Sequence, residues 1–217
     1  MRYLLLLIIF LLGFTHFSYA AGHPGKFDFY VLAMSWSPDY CASQGNNNDT
    51  QQCVIGKKLG LVLHGLWPQY YHGYPSSCTT EKFSNSLKEK FPNLYPSDSL
   101  YVHEWEKHGT CSGLKQADYL ALSKKLKESI VIPAQYKSPP KPFRTTVDEL
   151  KKAFLATHSD WSKDFLAVSC SGKSGRFLKE ILFCYSLDGK ANSCSQEVLK
   201  KTEKSCGKKE FLVRNVK

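Results

Sequence analysis

The chain has 217 residues with 29 Lys+Arg against 19 Asp+Glu, a formal net charge of +10 at pH 7. That length fills one core and is short for two domains, and only the N-terminus carries an apolar run, which excludes a multi-span membrane protein. The positive balance suits a polyanionic partner, nucleic acid or an acidic surface, without choosing between them.

Arg2 is followed by an apolar run over residues 4–12 and then by Ser18-Tyr19-Ala20. Small residues at 18 and 20 mark cleavage after Ala20, so residues 1–20 are read as a secretory signal peptide, with a signal anchor as the competing reading. Cleavage leaves residues 21–217 as a single domain with no membrane segment, expected to be periplasmic or secreted. All eight cysteines follow the leader: Cys41, Cys53, Cys78, Cys111, Cys170, Cys184, Cys194 and Cys206. An even count in an exported chain reads as four disulfides, but spacing alone does not choose the partners.

Residues 27–36, FDFYVLAMSW, form an apolar, β-rich run expected to be a buried strand. CASQGNNNDTQQC (41–53) is a polar loop between two cysteines and carries a sequon at Asn48-Asp49-Thr50. Residues 59–63 are a second apolar strand that ends at His64. Ser99 is the expected N-cap of a helix carrying residues 101–108, with Gly109 as its stop. Tyr119, Leu122, Leu126 and Ile130 fall at helical spacing. KSPPKPF (137–143) is a rigid loop. Thr146 and Glu149 form a capping box opening a helix with Val147, Leu150 and Phe154 on one face. Residues 165–170, 176–186 and 210–214 read as strands. SGKSG (171–175) is no phosphate loop, because Ala167 stands where the first glycine belongs. Strands and helices do not alternate regularly, which points to an α+β fold.

HEWEKH (103–108) looks at first like a zinc-protease helix. That motif needs histidines at i and i+4. His103 and His108 are five apart, so their rings diverge by roughly 140° on a helix, and Lys107 occupies the second ligand position. Glu104 and His108, four apart, share a face and are expected to pair, which would orient His108 and raise its affinity for a proton. His103 and Lys107 share another face, where a phosphate is the natural partner for two cations. An ordinary charged surface helix is the competing reading.

The second cluster is HGLWPQYYHGY (64–74). A histidine leaving a buried strand for a loop is held by the sheet yet reaches a cleft. Trp67, Tyr70, Tyr71 and Tyr74 add flat surfaces that either stack on bases or pack beneath the loop. Two histidines without metal-ligand spacing, a lysine and stacking aromatics suit cleavage of a phosphodiester: one histidine takes a proton, the other gives one. RNA supplies its own nucleophile, the 2′-OH, so the chemistry needs no metal or other cofactor.

HGLWPQY at 64–70 and HEWEKHGTC at 103–111 resemble, in that order, the two active-site segments of the ribonuclease T2 family. FDFYVLAMSWSPDYC resembles the family's first strand, and the short loops resemble those of its bacterial members. The resemblance implies a disulfide-stapled α+β fold with a central antiparallel sheet flanked by helices. It also implies a monomeric, metal-independent endoribonuclease that cuts single-stranded RNA through 2′,3′-cyclic phosphates with low base specificity. Position by position, it implies that His64 is general acid, His108 general base and His103 phosphate ligand. Glu104 and Lys107 stabilise the pentacovalent phosphorane, and Trp67, with Gln69 and Tyr70, forms the base site. Gln69 departs from the aspartate of some fungal members. The implied disulfides are Cys41–Cys53, Cys78–Cys111, Cys170–Cys206 and Cys184–Cys194. Two competing readings are a nucleic-acid-binding or toxin-like protein that acts without cleavage, and a zinc peptidase.

Overall fold

The computed structural model describes residues 22–44, 51–172, 176–207 and 209–217. The expected leader at 1–20, the sequon at 48–50 and residues 173–175 of SGKSG lie outside these. In chain order the elements are β1 (Phe29–Trp36), α1 (Ser37–Ser43), β2 (Leu61–Gln69), α2 (Ser86–Lys90), α3 (Asp98–Lys107), α4 (Gln116–Glu128), α5 (Ala134–Lys137), β3 (Phe143–Thr145), α6 (Val147–Leu155), β4 (Leu166–Ser171), β5 (Phe177–Tyr185), α7 (Gln196–Lys204) and β6 (Phe211–Val213). The strands form one sheet in the order β2-β1-β5-β6-β3, with β4 paired to β5. Pairing is antiparallel apart from the short β5/β6 contact, which is parallel. The expected α+β architecture, a sheet flanked by helices, is the one observed.

β1 is apolar apart from Ser35 because both of its faces are covered. Tyr30, Leu32, Met34 and Trp36 enter the large core with Trp105, Tyr119 and Phe154. Phe29, Val31 and Ala33 enter a smaller cluster with Leu182, Cys184 and Leu199, beneath α7. The face that carries this smaller cluster also carries the functional site. The capping box at Thr146 is present, with Glu149 N–H donating to Thr146 Oγ1 (3.2 Å) and Thr146 N–H donating to Glu149 Oε2 (2.9 Å). Leu150 and Phe154 are fully buried on the face it launches.

Three expectations change. The second strand does not end at His64 but runs on to Gln69, so HGLWP lies within β2. The site helix begins at Asp98, with Ser97 in extended backbone at its cap and Ser99 inside the first turn. An acidic residue in that turn complements the helix dipole. α7 was not expected, because QEVLKKTEK offers only Val198 and Leu199 as an apolar stripe. Its one local signal is Ser195, whose Oγ accepts from Val198 N–H (3.2 Å) in an N-cap.

All four implied disulfides are present. Cys184–Cys194 and Cys170–Cys206 bracket α7, tying its two ends to β5 and β4. Cys78–Cys111 ties the segment after β2 to the turn that follows α3. There Ser77 N–H donates to Lys107 O (2.8 Å) and Cys78 N–H to Thr110 Oγ1 (3.1 Å). The two motif segments are thus clamped together by backbone and by a covalent bond.

Candidate active site

Two local features aim the side chains of β2. The β1/β2 register passes from Ala33↔Gly65 to Met34↔Leu63, so His64 is the extra residue of a β-bulge. A bulge bends the strand and redirects its side chain, and such features recur beside active sites. Beyond the bulge the two-residue period resumes, and Trp67 and Gln69, opposite Val31 and Phe29, face the same side as the smaller cluster. On α3 the buried stripe is Tyr101, Glu104 and Trp105, with His108 one turn on. That spacing is an apolar one filled at two of four positions by ionisable groups.

The side chains converge on a cavity of about 370 Å³. It is lined by His64, Trp67, Gln69 and Tyr74 from the β2 segment and by His103, Glu104, Lys107 and His108 from the α3 segment. Lys179 and Glu180 of β5 and Glu197 and Lys201 of α7 complete it. Tyr70 does not line this cavity; Tyr74 does. The loop carrying Tyr74 is tied to α7 where His72 Nδ1 meets Glu197 Oε2 (3.2 Å). A second cavity of about 280 Å³ lies on the other flank of His64 and His103, lined also by Ser35, Val62 and Leu100. The two histidines therefore stand between two hollows.

Glu104 does not pair with His108, contrary to the expectation from their spacing. Its carboxylate, 0% exposed, accepts from Trp67 Nε1–H (2.8 Å) and lies 3.7 Å from His64 Nε2 and 3.9 Å from His103 Nε2. Its Oε1 makes no hydrogen bond. Burial pushes the Glu104 carboxyl up to about 7, against the pull of His64, Trp67 and Lys107. His108 follows the last residue of α3, its N–H still donating to Glu104 O (3.1 Å), but its ring packs on Trp67. It is 5% exposed and stacks on Trp67, centroids 5.3 Å apart, with Nδ1 unpartnered. Burial, then Lys107, His103 and His64, push its pKa down to about 3. The spacing argument expected the opposite direction.

His64 leans the other way. Burial alone would lower its affinity for a proton, but the hydrogen bond and charge of Glu180, with Glu104 behind, leave it raised above 6.5. His64 Nδ1 lies 2.5 Å from Glu180 Oε1. His103, half exposed, is lowered by burial, Lys107 and His64. At moderate pH the cleft thus holds one histidine biased toward the cation and one toward the neutral ring, beside Lys107.

Sequence reasoning missed Glu180, Lys179 and the α7 wall. A signal existed for the first: Glu180 is a lone carboxylate inside the apolar run 177–185. The register of β4 against β5 skips Lys179, so a second bulge turns this lysine toward the cleft beside it.

Two histidines lining one cavity with lysines beside them, on an α+β frame, suit general acid–base chemistry on a polyanion such as a phosphodiester. The sequence model of the Ribonuclease T2 family matches residues 27–195, and the chain belongs to that family. Membership makes it an endoribonuclease acting on RNA. A ribonuclease of Aeromonas hydrophila is 41% identical over 207 residues, covering 91% of this chain and 90% of that protein. A probable ribonuclease of Haemophilus influenzae is 28% identical over 168 residues, covering 67% and 62%. Among solved structures, trichomaglin superposes with a TM-score of 0.65 at 20% identity, covering 78% of this chain and 92% of that one. Ribonuclease MC1 from bitter gourd seeds gives 0.59 at 23%, covering 75% and 91%. These likenesses of structure bear on the fold.

Proposed function

We propose that the cleft cuts single-stranded RNA with His108 as general base and His64 as general acid. The observation that carries this assignment is that both rings line one cavity, His64 held at Nδ1 by the Glu180 carboxylate and His108 buried with its Nδ1 unpartnered. In the first step His108 takes the proton of the 2′-OH, O2′ bonds to phosphorus, and the P–O5′ bond breaks. His64 gives its Nε2 proton to the departing O5′, leaving a 2′,3′-cyclic phosphate and a 5′-OH. In the second step the roles reverse: His64 takes a proton from water, which attacks phosphorus, and His108 returns one to O2′. His103 and Lys107 hold the phosphate oxygens. Glu104, with a free oxygen beside both His64 and His103, takes part in stabilising the phosphorane together with Lys107. The nucleotide that supplies the 2′-OH lies on the Trp67 and His108 side, and the leaving nucleoside in the hollow beyond His64.

Chelator tests the reading. With excess EDTA, RNA hydrolysis should continue at an unchanged rate and yield a 2′,3′-cyclic phosphate, because the 2′-OH replaces a metal-bound water as nucleophile. A loss of activity that zinc restores would overturn it.

Base selectivity follows from the groups around Trp67. Gln69 donates from Nε2 to Pro68 O (3.0 Å) and carries no charge. An amide offers donor or acceptor, and Trp67 and Tyr74 act by stacking, which any base satisfies. Tyr70 supports the loop through its N–H bond to Gly73 O (3.0 Å). All sixteen dinucleoside phosphates, assayed singly, should be cut with rates within about 10-fold of one another. One base preferred by more than about 1,000-fold would mean a hydrogen-bonding pocket absent from this description.

The protein acts after export, in the periplasm or outside the cell, as a monomer of residues 21–217. The leader composition and four disulfides support export.

A further inference from the structure

Glu180 lies in the middle of β5 between Lys179 and Ile181, 7% exposed, on a strand otherwise given to the core. A carboxylate is retained at such a position only when its charge and lone pairs are satisfied. Two groups satisfy it. Ser35, directly opposite on β1, donates from Oγ to Glu180 Oε1 (2.8 Å). His64 brings Nδ1 to 2.5 Å from the same oxygen. The bulge at His64 lets a β2 side chain reach across β1 to a carboxylate on β5; without the extra residue the alternation of β2 would be displaced by one place.

We propose that Glu180 is a positioning residue for His64, whose carboxylate, steadied by Ser35, holds a proton on Nδ1 throughout turnover so that Nε2 is the nitrogen that exchanges protons with substrate. The inference rests on the reading of His64 as proton donor. When His64 is a cation, both nitrogens carry hydrogen; Nδ1–H is committed to Glu180, and Nε2–H is the proton given to O5′. Once that proton has left, Glu180 keeps the Nδ1–H tautomer, and the Nε2 lone pair is ready to take a proton from water in the second step. The opposite tautomer would leave the lone pair facing Glu180, a repulsive contact between two acceptors, and would present a hydrogen where hydrolysis needs a base. Glu104 cannot supply this function, because it stands 3.7 Å from Nε2, on the substrate side of the ring.

The groups that face His64 are Glu180 and Lys179 from β5, Ser35 from β1, Trp67 from its own strand, and His103, Glu104, Lys107 and His108 from the α3 segment. Of these, Glu180 is the carboxylate bonded to the ring, and the lysine beside it opposes it. Removing the Glu180 charge while keeping its shape should therefore lower the pH at which His64 loses its proton.

The test compares wild type with Glu180→Gln and Glu180→Ala. kcat and KM for a dinucleoside phosphate and for a 2′,3′-cyclic mononucleotide are measured across pH. ¹⁵N–¹H imidazole spectra report the tautomer of His64 without reference to activity. In both variants kcat should fall on the order of 10- to 100-fold for both reactions, with KM little changed. The limb that His64 sets, basic for the dinucleoside phosphate where it acts as acid and acidic for the cyclic mononucleotide where it acts as base, should move down by about one pH unit, and in Glu180→Ala neutral His64 should lose its predominance of Nδ1–H. Should Glu180→Ala fold poorly, Glu180→Gln and Ser35→Ala carry the readout of the pH limbs, Ser35→Ala giving a smaller shift in the same direction. Glu180 variants that keep the wild-type basic limb and the Nδ1–H tautomer would overturn the proposal, even with lowered activity, since a purely structural residue would give that result. Near-normal turnover in His64→Ala would instead remove the reading of the proton donor on which the proposal stands.

Discussion

Replacing His108 with alanine should lower kcat at least about 100-fold, and replacing His64 should do the same, the usual scale for losing a positioned acid or base. The double variant should lose less than the product of the two, because the rings serve one proton circuit. pH dependence follows from their biases. His108 must be neutral, and since its pKa is held down at about 3, activity should rise as pH climbs through that region. His64 must be charged, and its pKa is raised, so activity should fall only above the ordinary histidine range near 6.5. The profile of kcat/KM should therefore be a broad plateau between these limbs. A bound phosphodiester adds negative charge beside both rings, which favours their protonated forms, so the kcat profile should lie to the alkaline side of the kcat/KM profile. Stopped assays on a dinucleoside phosphate from pH 3 upward give both profiles. A His108→Ala variant within threefold of wild type, or a His64→Ala variant with an unaltered basic limb, would contradict the assignment.

Gly65→Ala should be nearly as damaging, although Gly65 has no side chain to contribute. A β-carbon at 65 would stand 1.8 Å from Glu104 Oε2 and 2.4 Å from Trp67 Nε1. Those two atoms are the ends of the hydrogen bond that orients Glu104 and fixes the indole on which His108 stacks. The neighbours cannot both stay, and a displacement on the order of 1 Å within a catalytic constellation costs about 100-fold in rate. Overpacking of this kind also destabilises, by about 1–3 kcal/mol, so melting temperature should fall in parallel. Trp67→Phe separates the two effects: it removes the indole N–H without adding volume, and should slow turnover with less loss of stability. Gly65→Ala activity within threefold of wild type would mean that Glu104 can serve from a displaced position.

Much of the site was legible before any fold was known. The two motifs, the apolar strand ahead of the first and the helical spacing of the second are local patterns, and local patterns follow from the periods of strand and helix. The same holds for the capping box at Thr146 and for the even set of eight cysteines in a basic chain. The partners within the site were not legible. Spacing on α3 paired Glu104 with His108, but Trp67 meets both, accepting the stack of the His108 ring and donating to the Glu104 carboxylate. Glu104 meets His64 and Trp67 because α3 docks across β2, an arrangement decided by the burial of Tyr101 and Trp105. Glu180 is 116 residues from His64 in sequence. The two meet through the β1/β5 register and a one-residue bulge in β2, and neither leaves a periodic trace in the chain. α7 is too polar to announce itself, and it becomes a wall of the cleft because two disulfides hold its ends against β4 and β5. The sequence by itself determined the ionisable groups of the two motifs and the class of frame that carries them, but not Glu180, Lys179 or the charged wall of α7. Which carboxylate faces which histidine, and hence which ring is charged, was decided by tertiary structure alone, because proton affinity depends on burial and on neighbours within a few ångströms that are distant along the chain.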